Sequence, residues 1–173
     1  MSGAQWDRTI PPNDEELIRA WIAHDRANLH TATVARVQSY DAATQTADLV
    51  PLVRNAVELP DGTTEHENLP VLPCVPVLFP RTAGHFIAFA LAPGDMGLVV
   101  FCESAVGHWR AGDGDVTDPG DLTRHSLSHG VFLPGLFHRG GKLAHAPNAS
   151  DPGAPRLVVG SDETDGARVT FGN

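Results

Sequence analysis

Two imidazoles four residues apart, in His125-Ser126-Leu127-Ser128-His129, are the sharpest candidate for chemistry in this sequence. On a helix, residues at i and i+4 share a face, and two histidines so placed can hold zinc. The zinc-protease pattern also needs a glutamate directly after the first histidine, and Ser126 stands there. Gly130 and the neighbouring turn residues argue against a helix. His85, His108, His138 and His145 stand singly, so surface or loop histidine is the expected reading and no metal ligand is assigned. A symmetric trimer would still bring three copies of one histidine together, and the sequence leaves that open.

The loop carrying Asp113, Asp115, Asp118 and Asp121 has the carboxylates a calcium ion wants. Its spacing is irregular and no glutamate closes a twelve-residue loop, so a solvated acidic turn is expected. Nucleophilic catalysis has no Gly-x-Ser-x-Gly elbow here. Ser126 and Ser128 adjoin histidines, but adjacency in sequence does not make a triad. Gly112-Asp113-Gly114-Asp115 carries acids where a phosphate cradle needs donors. No catalytic residue, cofactor or metal is therefore assigned, and the protein is expected not to be an enzyme.

Charge narrows the partners. Lys and Arg number 12 against 21 Asp and Glu, a net −9, which opposes sequence-independent nucleic-acid binding. Trp6, Trp21 and Trp109 are dispersed rather than lined up as a stacking platform, and Trp109 beside Arg110 reads as a barrel-rim residue. No apolar run is long enough to span a bilayer, and Met1 to Arg8 does not read as a secretory signal. Cys74 and Cys102 lie in apolar, strand-like runs and are expected to be small buried hydrophobes.

The elements that must position these residues start with a helix over 13–29. Asn13 caps it, Glu16 sits at capping-box spacing, and Leu17, Ile18, Trp21 and Ile22 form an apolar stripe that must dock on this sheet or a neighbour. Thr33 to Tyr40, the turn 41–44 and Gln45 to Arg54 predict a hairpin. Asp61-Gly62 separates Ala56–Leu59 from a stretch running to Leu69. The prolines in Val71 to Pro80 predict an edge or bulged strand. Phe86 to Leu91 and Gly97 to Cys102, joined by Pro93-Gly94-Asp95-Met96, predict a central hairpin. Val131-Phe132-Leu133 closes the sheet. After a Gly, Ala and Pro linker, Arg156–Val159 and Ala167–Phe171 form a last strand pair, which alone is marginal in water. The fold class is mainly β, an OB-like five-stranded barrel with an N-terminal helix and a C-terminal strand pair.

Four segments in order carry a family resemblance. They are Val37-Gln38-Ser39-Tyr40-Asp41 with Gln45-Thr46-Ala47-Asp48-Leu49; Leu72-Pro73-Cys74-Val75-Pro76-Val77; Pro93-Gly94-Asp95-Met96-Gly97-Leu98-Val99-Val100-Phe101; and Arg124-His125-Ser126-Leu127-Ser128-His129-Gly130. Over roughly residues 30–137 the chain resembles the membrane-puncturing spike proteins of contractile phage tails, a family with an N-terminal OB domain and a trimeric β-helix.

The resemblance implies a homotrimeric spike or hub at the baseplate, in contact with tail tube, hub and other baseplate proteins and transiently with the host envelope. It places the protein in the virion and gives the C-terminal strands a role in a trimeric β-prism or β-helix. The implied organisation is an N-terminal extension and helix over 1–30, an OB domain over 31–138, a linker over 139–155 and a spike segment over 156–173. Longer members end in a His-x-His that binds iron at the tip; this sequence has none, so the iron site is not carried over, and either the needle is blunt and short or a separate tip protein completes it. Two rivals from other classes are an OB-type module binding carbohydrate or oligonucleotide, and a metal-dependent cell-wall hydrolase.

Overall fold

The computed structural model describes residues 13–58, 62–83, 85–141, 157–160 and 168–171. The chain divides into two compact units, Met1–Leu136 and Phe137–Asn173.

In the first unit, helix α1 spans Asp14–Asn28. Asn13 Oδ1 accepts the Glu16 N–H at 2.9 Å, and Glu16 Oε2 accepts the Asn13 N–H at 3.1 Å. This reciprocal box satisfies two amides that a helix start would otherwise leave bare. None of the helix is buried, and its apolar stripe finds no cover: Trp21 is 74% exposed.

Seven strands follow in this unit: β1 (Ala32–Asp41), β2 (Thr46–Pro51), β3 (Asn55–Glu58), β4 (Thr64–Glu67), β5 (Leu72–Pro76), β6 (Met96–Phe101) and β7 (Gly130–Pro134). β3 and β4 pair as a separate hairpin. The other five form one antiparallel sheet in the order β5-β2-β1-β6-β7. The β1–β2 hairpin forms as expected, because the Asp41 carboxylate accepts the Ala43 N–H and the Thr44 hydroxyl and so holds the reversal.

The sheet curls until its edges approach. Val77, just past β5, bridges Phe132 of β7, and the Leu78 N–H donates to Phe132 O at 2.8 Å. The result is an OB-like half-barrel. Alternating inward residues fill it: Ala35 and Val37, Ala47 and Leu49, Leu72 and Val75, Val99 and Phe101, and Phe132. Gly97 is required at its place, since a β-carbon there would collide with the Phe132 ring and Leu133 O.

β5 is an edge strand with an irregular register, as its prolines require. Asp48 pins that irregularity. Its Oδ1 accepts the Cys74 N–H at 2.9 Å and its Oδ2 accepts the Ser39 hydroxyl at 2.7 Å, so one carboxylate joins β1, β2 and β5. Both β1–β2 and β2–β5 shift register beside it, between Val37 and Ser39 and between Ala47 and Leu49.

Three expectations are corrected. Phe86 to Leu91 is not a strand, and the central hairpin does not form, because β6 already has β1 on one side and β7 on the other. The segment turns back on Pro80 instead, through Ile87 N–H to Pro80 O at 2.9 Å, and Phe86 and Ile87 face water. The Pro93–Met96 turn docks on β1: Gly94 donates to Val37 O and Val37 donates to Asp95 O. Cys74 is exposed and Cys102 only half-buried, so neither is a core residue. Cys74 holds φ of 51° at the β5 bulge, and the core positions of that strand go to Leu72 and Val75. Trp109 lies on a short helix, α2 (Gly107–Ala111), rather than on a barrel rim.

In the second unit, β8 (Leu157–Gly160) and β9 (Arg168–Phe171) pair antiparallel, with Leu157 opposite Phe171. The turn expected at 161–166 and most of the linker expected over 139–155 lie outside the described residues. A trimeric β-prism or β-helix is not seen in this single chain.

Candidate functional site

The residues that could do chemistry gather on the connection between β6 and β7, but not as an active centre. Leu127–His129 is a single 3-10 turn, too short to put His125 and His129 on one helical face. Ser126 Oγ accepts the Ser128 N–H at 3.3 Å, which caps that turn. His125 has φ of 48°, and its Nδ1 has no hydrogen-bond partner among the described residues.

His129 instead meets the acidic loop. Its side chain is 12% exposed, and Nε2 lies 2.9 Å from Thr123 Oγ1 and 3.8 Å from Asp121 Oδ2. The Thr123 hydroxyl donates to Asp121, so it accepts the proton of the ring nitrogen. Asp121 also accepts the Thr123 N–H at 2.7 Å. The Thr123 hydroxyl and amide, then the nearby His129 and His108, hold the Asp121 carboxyl below its ordinary value. This chain of contacts ties the loop down to the start of β7.

The other acids do not join it. Asp113 accepts the Asp115 N–H at 3.3 Å, a local turn contact. Trp109 Nε1–H donates to Gly114 O at 3.2 Å and closes the same loop from the other side. Among the described residues, no three His, Cys, Asp or Glu side chains come together at metal-holding spacing. Sequence reasoning missed the Asp121–Thr123–His129 contact. The local signal was Asp121-Leu122-Thr123, an Asx-turn pattern, but its link to His129 depends on how the loop returns.

The larger feature is apolar surface left in water. Leu17, Ile18, Trp21 and Ile22 on α1 are all exposed, as are Leu78, Phe86, Ile87 and Phe89 on the β5–β6 connection. Phe89 stacks edge-on against Phe79 at 5.5 Å, so part of that connection is anchored to the half-barrel while its outer side chains project. Exposed apolar groups in sets of this kind mark contact surfaces more often than single exposed residues do. Among the described residues no helix is long and apolar enough to cross a membrane.

The family model described as phage protein Gp138 N-terminal domain matches residues 34–135, more than half of the chain and nearly all of the half-barrel. No match was found among the curated proteins.

Proposed function

The chain belongs to the phage protein Gp138 N-terminal domain family, and from that premise we propose that it is a structural part of a contractile phage tail or phage-like injection particle. In this reading three copies form the central spike or hub at the baseplate. The observation that carries it is the pair of uncovered apolar sets, on α1 and on the β5–β6 connection, in a chain whose half-barrel core is buried. A lone chain leaves them in water, and association removes them from it at about 25 cal/mol per Å² of apolar surface. The β8–β9 pair supports the same reading, since a two-stranded hairpin gains stability when its edges pair with other chains.

The mechanism is mechanical, with no catalytic step. A rigid collar of half-barrels carried by the tail tube transmits the force of sheath contraction to the host envelope. Mass measurement by light scattering on the purified full chain tests it. A stable trimer at micromolar concentration supports the proposal, and a monomer there overturns it.

A further inference from the structure

A cavity of about 260 Å³ opens where α1 ends and β1 begins, and its wall is unlike the rest of this acidic chain. Arg26 and Arg54 both line it, together with His30, Thr31 and Thr33, over a floor that includes Phe101. Among the described residues no aspartate or glutamate lines it, and neither arginine makes an ion pair with a described carboxylate. The chain carries −9 overall, so two arginines on one hollow with no described counter-charge beside them run against its average.

Arg54 is held in place. Its Nε–H donates to Asn68 Oδ1 at 3.0 Å, which restrains an otherwise exposed side chain. His30 packs near the Phe101 ring, centroids 5.7 Å apart, so the imidazole is also restrained. Arg26 has a second duty. It stands in the last turn of α1, where unpaired carbonyls carry partial negative charge, and it offsets that charge. The larger share of the attraction for a ligand therefore rests on Arg54.

We propose that this cavity binds a phosphate-class oxyanion. The donor set decides the class. Two arginines, a histidine and two threonines line it; their side chains carry more donors than the two oxygens of a carboxylate use, and a tetrahedral oxyanion presents acceptors on every side.

The test is titration of the isotopically labelled full chain with inorganic phosphate, following backbone amides by NMR, with sodium chloride at matched ionic strength as control. Saturable shifts at His30, Thr31 and Thr33 that chloride does not reproduce support the site. Arg54→Gln should weaken binding by about tenfold or more, and Arg26→Gln by less. Arg54→Lys, which keeps charge without the fork, should fall between wild type and Arg54→Gln. Shifts that chloride reproduces, or an unchanged affinity in Arg54→Gln whose spectrum is otherwise native, would overturn the proposal. Sedimentation with phosphatidic acid vesicles separates the sources: binding there as well supports a lipid-borne phosphate, and binding of inorganic phosphate alone supports a soluble one.

Discussion

Asp48 and Gly97 show how much of this domain hangs on single positions that carry no chemistry. The Cys74 N–H and then the Ser39 hydroxyl hold the Asp48 carboxyl below its ordinary 3.8. The Ala43 N–H and Thr44 hydroxyl do the same for Asp41, and Thr123 for Asp121. For carboxyls with depressed folded values, the stabilising contribution is complete above the unfolded value and is lost as pH falls through the folded one. Urea midpoints should therefore hold steady from neutral pH to about 5 and decline below about 4. Asp48→Asn should flatten part of that decline, and an unchanged acid profile in the variant would refute its role as a pin. Gly97→Ala drives a methyl into the Phe132 ring, which is fully buried. It should lower stability by about 2 kcal/mol, read from the urea midpoint at constant slope.

At the scale of elements, α1 and the β5–β6 connection matter most, because both leave apolar side chains uncovered. The helix itself was legible, down to its capping box, because the signals that start a helix are local to four residues. Asn13→Ala should cost about 1 kcal/mol of helix stability, visible as reduced helical circular dichroism. Trp21→Glu tests what the stripe is for. With the side chain 74% exposed, it should leave half-barrel stability within about 0.5 kcal/mol while reducing the mass measured by light scattering. A variant that keeps the wild-type mass would remove α1 from the assembly surface. The Phe86–Leu91 segment misled sequence reading for a definite reason. A short continuous apolar run with a turn beside it looks like a hairpin arm, and nothing local reveals that β6 already has two neighbours.

For the whole molecule, the proposed trimer assigns a purpose to the C-terminal hairpin. Among the described residues β8 and β9 pair with each other and with no other strand. Removing residues 154–173 should shift the light-scattering mass toward the monomer while residues 34–135 keep their fold. An intact trimer after truncation would locate assembly in the half-barrel and helix alone. Among the described residues no three His, Cys, Asp or Glu side chains come together at metal-holding spacing, whereas a symmetry axis would gather copies of one histidine.

The features that the sequence determined by itself are those decided within a few residues. The Asn13 cap, the Asp41 turn and the prolines that make β5 an irregular edge all follow from backbone chemistry at their own positions. The half-barrel's inward faces follow too, because strand periodicity is local. Only the tertiary structure decided which strands flank β6, that Cys74 stands outside the core, that His129 reaches Asp121 through Thr123, and that Arg26 and Arg54 share a hollow. These depend on how strands pair and how a loop returns, not on signals at single positions, and the closing of the half-barrel depends on the curl of the sheet. No spacing along the chain encodes that curl, because it arises from the summed twist and the register shifts around Asp48.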